Sequence, residues 1–316
     1  MSLPKVALAP RSRKPQDRQN YGRENGIKVS VVTAPPTTQD STREWANVRL
    51  KAIEDLLDAD CLTIISPIQL GLEHRVKVAI EAREERRETL VVILDTAGGV
   101  VEIVERIVRV LRQHYVEVRF IIPDRAMSAG TVLAMSGDEI LMDYHSCLGP
   151  IDPQLEKDGR LVPALSYLSQ FEALIEKSQS EALSTAEVVL LQKLDLAELH
   201  QFQLARDLSI SLLKSWLTSY KFKDWVKTET RGIEVTPTMK EERASWIAHQ
   251  LNDHERWLTH GRGIDMRTLQ EELNLKIEDF GVRVQLKKAV WDYFWFLRDH
   301  MGRNSLVSFV HTPYFF

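Results

Sequence analysis

Residues 89–113 read TLVVILDTAGGVVEIVERIVRVLRQ, residues 116–143 read VEVRFIIPDRAMSAGTVLAMSGDEILMD, and the loop YHSCLGPIDPQ follows at 144–154. In each of the first two segments a β-branched apolar run stops at small residues, at 97–99 and at 126–130, and a helical pattern begins at once. This repetition predicts two adjacent parallel strands. Because ligand sites of open α/β sheets lie at the carboxyl ends of such strands, Ser128 is the candidate nucleophile.

The rest of the chain suggests three parts around this stretch. Residues 1–40 are rich in Pro, Arg, Lys, Gln and Thr, which predicts a flexible N-terminal arm. Residues 41–160 carry the strand and helix signals of an α/β core. Residues 161–316 read mainly as helices, and we expect them to complete the core and to supply helices for oligomerisation or partner binding.

Composition limits the possible functions. The chain has 316 residues, of which 44% are hydrophobic and 27% charged, with a formal net charge of −4. These values are typical of a globular protein and give no electrostatic reason to expect nucleic-acid binding. We find no apolar run of the roughly 20 residues that cross a membrane and no signal-peptide pattern, so we expect the cytoplasm. Cys61 and Cys147 lie in apolar, strand-like settings and are interpreted as buried reduced thiols.

The two turns supply different parts of an acyl-transfer site. A serine hydroxyl needs a base to become a nucleophile, and the oxyanion that develops needs hydrogen-bond donors. Gly98 and Gly99 allow the backbone to approach a substrate closely and to present its amides. The amide of Ala129, at the start of the helix after Ser128, is a further donor. Each turn is a weak signal by itself, but the two together, with Gly99 preceding Ser128 by 29 residues, are more specific.

These residues carry a family resemblance. LDTAGGVVEIVERI (94–107), DRAMSAGTVLAMSGDEILM (124–142) and HSCLGPIDPQ (145–154) resemble the Clp/crotonase-fold serine peptidases, most closely the signal-peptide-peptidase-A-like group that includes the serine dehydrogenase proteinases. The resemblance implies stacked ββα units followed by a helical C-terminal region. It also implies a homo-oligomer that hydrolyses peptide bonds in peptide or protein substrates, with Ser128 as nucleophile and Gly99 and Ala129 amides as oxyanion hole.

The same resemblance does not identify which residue acts as the general base for Ser128. Clp peptidases place His-x-Pro after the third strand, where this chain reads Gly-Pro-Ile-Asp-Pro at 149–153, and His145 comes several residues earlier. Signal-peptide-peptidase-A-like enzymes use a lysine after the serine, which implies a Ser–Lys dyad. Lys177 follows Ser128 by 49 residues. Lys177, Lys157 and His145 are therefore all kept as candidate bases, and burial would have to lower the pKa of a lysine for this role.

Two other functions stay open. Without a base, the chain would be a catalytically silent scaffold of the same fold that binds a partner protein. Acyl-CoA chemistry on this fold is a third possibility, although it does not need a serine nucleophile. We predict no cofactor and no metal, since no cluster of His, Cys, Asp and Glu has zinc-ligand spacing.

Two features near the C-terminus have more than one interpretation. Five aromatic residues between 291 and 296 fit either core packing or an oligomer surface. The loop at 260–263, His-Gly-Arg-Gly, is interpreted as a glycine turn flanked by polar residues, or as part of a surface.

Overall fold

A computed structural model describes the backbone of residues 38–152, 154–157 and 160–316, and the side chains of residues 41–152 and 168–316. The strands are β1 (Asp60–Ile65), β2 (Thr89–Asp95), β3 (Glu117–Ile121), β4 (Arg125–Ala126), β5 (Glu139–Met142), β6 (Cys147–Leu148), β7 (Gln154–Lys157), β8 (Arg160–Pro163), β9 (Ile264–Asp265), β10 (Glu278–Asp279) and β11 (Phe309–His311). The helices are α1 (Thr38–Leu57), α2 (Leu72–Glu81), α3 (Val101–His114), α4 (Ala129–Ala134), α5 (Ala164–Ser180), α6 (Thr185–Gln192), α7 (Leu196–Trp216), α8 (Pro237–Asn252), α9 (His254–Trp257), α10 (Met266–Glu271) and α11 (Val284–Arg303). A π-helical turn lies at Leu217–Lys221 and a 3-10 turn at Phe280–Val282. The greater part of the predicted arm, residues 1–37, lies outside the described residues.

The main sheet contains the predicted strands and two further strands, β10 and β11, from the region predicted as mainly helical. Within the described residues it has six strands in the order β10-β5-β3-β2-β1-β11, all parallel except β11. A second, three-stranded sheet joins β4, β6 and β9. Helices α2 and α3 connect β1 to β2 and β2 to β3, as expected for parallel neighbours. The predicted α/β class is confirmed, and so is the mainly helical character of the region after β8.

Both faces of the sheet are covered, which explains why β1 and β2 are almost continuously apolar. Alternate residues of β2 belong to two different cores. Leu90, Val92 and Leu94 pack with α2, α3 and α4, whereas Val91 and Ile93 pack with α1 and α11. The layer that contains α4 also contains residues of α7 and α8. The helical region after residue 160 therefore contributes to the same core as the sheet.

Residues near the C-terminus close one edge of the sheet. β11 pairs antiparallel with β1, with Thr63 opposite His311 and Ile65 opposite Phe309. Tyr293 of α11 shares hydrogen bonds with Thr63 (2.8 Å) and His311 (2.6 Å), and burial lowers the pKa of His311 to about 3. His311 is therefore a neutral part of a buried polar network.

The five aromatic residues of α11 divide between core and surface. Tyr293 and Phe294 are buried, Trp291 and Phe296 are partly buried against the same core, and Trp295 is exposed. Core packing therefore explains most of the cluster.

Among the described residues, none of the helices combines the length and apolar character that crossing a lipid bilayer requires.

One buried ion cluster fixes the start of β1 to the helices around it. Arg83 lies between Glu54 of α1 and Asp60 of β1, and its Nη1 is 2.7 Å from the Asp60 carboxylate. The same carboxylates accept hydrogen bonds from the Cys61 amide and the Tyr115 hydroxyl. All these side chains are almost entirely removed from water, so each carboxylate depends on its donors.

Replacing Arg83 by Met should therefore destabilise the protein strongly. Glu54 and Asp60 would remain buried without their cation, and we expect the free energy of unfolding in urea to fall by about 3–5 kcal/mol. Arg109→Met is the matched control, since Arg109 forms an exposed pair with Glu105 and should change stability by less than about 1 kcal/mol. Similar losses in both variants would contradict this account of the cluster.

Candidate active site

The predicted site lies where backbone hydrogen bonds continue past the ends of the strands. The Thr96 amide donates to the Arg125 carbonyl (2.9 Å), and the Met127 amide donates back to the Thr96 carbonyl (3.0 Å). On the other side the Ile68 amide donates to the Gly98 carbonyl, and the Val100 amide to the Ile68 carbonyl, both at 2.8 Å. The segments that follow β1, β2 and β4 are thus joined side by side.

Gly98 and Gly99 are required by this arrangement. Their φ angles are +97° and +146°, in the region that residues with a side chain rarely adopt. A Cβ on Gly99 would lie 2.0 Å from the Ile68 carbonyl oxygen. A Cβ on Gly98 would lie 2.6 Å from the Met127 carbonyl oxygen and 2.7 Å from the Cβ of Ser128. The glycine turn is therefore in direct contact with Ser128, which confirms that the two predicted turns meet.

Ser128 occupies a sharp turn between β4 and α4. Its φ of 54° and ψ of −121° are unusual for a residue with a side chain and cost about 1–3 kcal/mol. The turn is held by hydrogen bonds from the Gly130 amide to the Met127 carbonyl and from the Thr131 amide to the Ser128 carbonyl, both 2.8 Å. Ser128 is half-buried, and its hydroxyl has no hydrogen-bond partner among the described residues. A strained strand-to-helix turn is also how α/β hydrolases present a nucleophilic serine.

Two backbone amides beside Ser128 are available to a ligand. The Gly98 amide is occupied, because it donates to the Thr96 hydroxyl at 3.0 Å. The amides of Gly99 and Ala129 have no acceptor within the described part of the chain. Unpaired amides are costly when they are buried, so free donors beside a strained serine mark a place where an oxygen of a ligand can bind.

No described contact joins Ser128 to Lys177 or Lys157, the two lysines predicted as its base. The Lys177 ammonium is 2.7 Å from Glu187 and its side chain is 41% exposed. The hydrogen bond from Lys177 to Glu187 raises the pKa of the lysine, whereas a base acting at neutral pH needs a lower value. Lys157 belongs to β7, and its side chain lies outside the described residues.

His145 is also engaged elsewhere. Its Nε2 is 3.5 Å from the Asp124 carboxylate, and its ring lies 5.9 Å from the ring of Trp291 in α11. Trp291 packs with the α1 and α11 core, whereas Ala129 and the rest of α4 pack with the opposite core. His145 is therefore associated with the other face of the sheet.

Two carboxylates near the site were not recognised from the sequence. Asp95 ends β2 directly before the glycine turn, and burial raises its pKa to about 6 despite Arg298, 3.3 Å away on α11. Asp152 is fully buried in the loop after β6 and lies 2.8 Å from Nδ1 of His260. The sequence predicts only a glycine turn or a surface for the His260 loop. No sequence signal ties Asp152 to His260, because they are 108 residues apart.

The loop that carries Asp152 packs directly against the Ser128 turn. The Gly149 amide and the Thr131 hydroxyl are 2.9 Å apart, and that hydroxyl also donates to the Gly149 carbonyl at 2.8 Å. A Cβ on Gly149 would lie 3.1 Å from the Cα of Met127. Gly149 therefore touches the residue before Ser128 and the first turn of the helix after it. In the described ranges, no group of three or more His, Cys, Asp or Glu side chains could hold a metal ion.

Comparison with known proteins places the chain in a family. The profile of a family described as ClpP-like SDH-type serine proteinase matches residues 68–235, more than half of the chain. The uncharacterized protein MJ0137 of Methanocaldococcus jannaschii is 31% identical over 175 residues, covering 50% of this chain and 59% of that protein. MJ1495 of the same organism is 32% identical over 222 residues, covering 70% of this chain and 61% of that protein. The chain thus spans about three fifths of the length of these curated relatives.

Solved structures give more distant likenesses. One is a serine-to-alanine mutant of the 1510-N membrane-bound stomatin-specific protease, at 15% identity, with 71% of this chain and 81% of that chain covered and a TM-score of 0.40. Another is a lysine-to-alanine mutant of the same protease in complex with a substrate peptide, at 17% identity, with coverage of 65% and 84% and a TM-score of 0.33.

Two alanine variants separate the stability that comes from the close contact between Gly98 and Ser128 from the cost of placing a side chain at a positive φ. Gly98→Ala would combine a positive φ with a clash against Met127 and Ser128, whereas Gly71→Ala would meet the same φ, +96°, with nothing within 4 Å. We expect Gly71→Ala to lower the free energy of unfolding by about 1–2 kcal/mol and Gly98→Ala to cost about 1–3 kcal/mol more. Urea denaturation measures both, and equal losses would show that the close contact contributes nothing.

Proposed function

We propose that this chain, which belongs to the family of ClpP-like SDH-type serine proteinases, hydrolyses peptide bonds with Ser128 as its nucleophile. The family supplies the class of reaction. The observation that supports Ser128 is its strained turn, which lies in contact with Gly98 and leaves the hydroxyl without a described partner. A strained conformation that the surrounding hydrogen bonds enforce is characteristic of active sites.

The free amides of Gly99 and Ala129 are the proposed oxyanion hole. When a serine oxygen attacks a peptide carbonyl, negative charge develops on the carbonyl oxygen, and fixed donors stabilise that charge. The Gly98 amide is less suited, because it already donates to Thr96. We therefore assign Gly98 the role of holding the turn against Ser128, and Gly99 and Ala129 the role of donors.

The Ser–Lys dyad expected from the sequence stays a prediction. For Lys177 to act as base, its ammonium would have to leave Glu187 and lose its proton, against a raised pKa. Lys157 and His145 stay open as alternatives. The proposed substrate is a peptide or protein, and the homo-oligomeric state and the cytoplasmic location also remain expectations.

Replacing Ser128 by Ala tests the nucleophile. We expect Ser128→Ala to abolish both labelling by a fluorescent fluorophosphonate and release of fluorescent peptides from labelled casein, because no other hydroxyl would occupy the turn. Ser178→Ala is the matched control. Its hydroxyl is exposed on α5 and bonds only locally, to the Ile175 carbonyl, so labelling should match the wild type.

The same measurement separates this proposal from a silent scaffold. Labelling that persists in Ser128→Ala would overturn the assignment of the nucleophile. A folded wild-type protein that neither reacts with the fluorophosphonate nor cleaves casein would instead favour a scaffold that binds a partner protein.

A further inference from the structure

Arg75 of α2 is a half-buried arginine without an acidic partner among the described residues. Its Nη1 donates to the Ser308 hydroxyl at 2.7 Å, and its other N–H groups have no acceptor in the part of the chain that the structure describes. Burial lowers the pKa of Arg75, with no carboxylate close enough to raise it. Glu73 on the same helix is engaged elsewhere, by the Gly71 amide and by Arg106. The guanidinium therefore has unused capacity to bind an anion.

Two serine hydroxyls hold one corner of this guanidinium in place. Ser66 and Ser308 occupy neighbouring positions beyond the paired ends of β1 and β11, and their hydroxyl oxygens are 2.6 Å apart. Ser66 donates its proton to the Pro67 carbonyl at 2.8 Å, so the Ser308 hydroxyl donates to Ser66 and accepts from Arg75. This chain of hydrogen bonds positions Arg75 and leaves the rest of its planar fork free.

The guanidinium lies on the same face of the main sheet as the serine turn. Leu62 and Ile64, at alternate positions of β1, pack in the core that contains α2, α3 and α4. Ser66 continues this alternation, which explains its link to a residue of α2. Arg75 and Ser128 thus belong to the layer that covers this one face.

The backbone also limits the distance between the two groups. Ser66 precedes Ile68 by two residues, the Ile68 amide donates to the Gly98 carbonyl at 2.8 Å, and Gly98 is in contact with Ser128. This path is at most roughly 17 Å long, which an extended peptide covers with about five residues. A peptide whose carbonyl carbon lies at Ser128 is therefore long enough to bring a nearby side chain or its own end to Arg75.

We propose that Arg75 binds a carboxylate of the peptide substrate and selects substrates that carry a negative charge within a few residues of the cleaved bond. This inference rests on the function proposed above and names a substrate class for that site. The planar guanidinium presents parallel N–H groups that match the two oxygens of a carboxylate. No acidic side chain of the described residues has to be displaced first. The side chain of Asp or Glu and the C-terminal carboxylate of a peptide share this chemistry, and the experiment distinguishes them.

Peptide binding to a Ser128→Ala protein tests the site apart from catalysis. Fluorescent decapeptides are compared in matched pairs, with Glu against Gln at each position in turn, or with a free against an amidated C-terminus. We expect the charged member of one kind of pair to bind about 10-fold more tightly in fluorescence anisotropy, because a charge-assisted hydrogen bond contributes at least this much. The kind of pair that shows the difference identifies the source of the carboxylate.

Further variants assign the preference to Arg75. Added to Ser128→Ala, Arg75→Met should abolish it, and Arg75→Lys should restore part of it, since lysine keeps the charge without the planar fork. Lys77→Met is the matched control, because Lys77 lies on the same helix with its side chain 53% exposed and pairs with Glu81. In the protein that retains Ser128, Arg75→Met should remove the difference in KM between charged and neutral peptides.

The outcomes separate this inference from the peptidase assignment. Equal binding of charged and neutral peptides to Ser128→Ala, or a preference that persists after Arg75→Met, would overturn the carboxylate site. So would an equal loss of binding for both peptides together with a lowered melting temperature, since Arg75 would then only join α2 to the segment before β11. A wild type that neither labels nor cleaves, beside a Ser128→Ala protein with the Arg75-dependent preference, would overturn the peptidase assignment and leave the carboxylate site standing.

Discussion

The site depends on backbone contacts that only glycine permits. The carbonyl oxygen of Ile68 occupies the space where a Cβ on Gly99 would be, and Ser128 lies against the α-carbon of Gly98. Because main chain packs on main chain here, the segments after three strands share one hydrogen-bond network and cannot move separately. The strained angles of Ser128 persist because this network leaves the residue no alternative. The position of Ser128 is thus set by backbone geometry and not by its own side-chain contacts.

The two faces of the main sheet are covered by different helices and carry different polar groups. On one face α1 and α11 cover the sheet and hold buried polar groups such as Tyr293 and His311. On the other face α4 carries the serine turn into a core shared with α7 and α8. Charged groups near the carboxyl ends of the strands are divided between these faces. Asp95 is paired with Arg298 of α11, whereas Asp152 and His260 lie in the loops after β6 and before β9, two strands of the small sheet that contains β4.

The sequence predicts those elements of the fold and of the candidate site that depend on short stretches of consecutive residues. The apolar run of β2, the stripe of α3 and the small residues around Ser128 each occupy fewer than 20 consecutive residues, so the fold class could be inferred and a candidate nucleophile could be named. The glycine turn follows β2 and the serine follows β4, and a parallel bridge between Thr96 and Ala126 brings the two turns together. No periodic pattern signals the pairing of β6 with β9, because each strand is only two residues long. Asp152 and His260 meet through that pairing, and for this reason the charged partner could not be found by spacing along the chain.

The antiparallel pairing of β11 with β1 has a consequence for how the protein is made. β1 is an early strand of the described chain, yet the residues that cover its outer edge follow it by about 250 positions. Until α11 and β11 have been synthesised, the amides and carbonyls on that edge have no partner in the sheet, and such open edges promote association between chains. Contacts between distant parts of a chain also form slowly. β11 therefore completes the sheet only after the other strands have been synthesised, and a nascent chain stalled before Phe309 would expose the unpaired edge of β1.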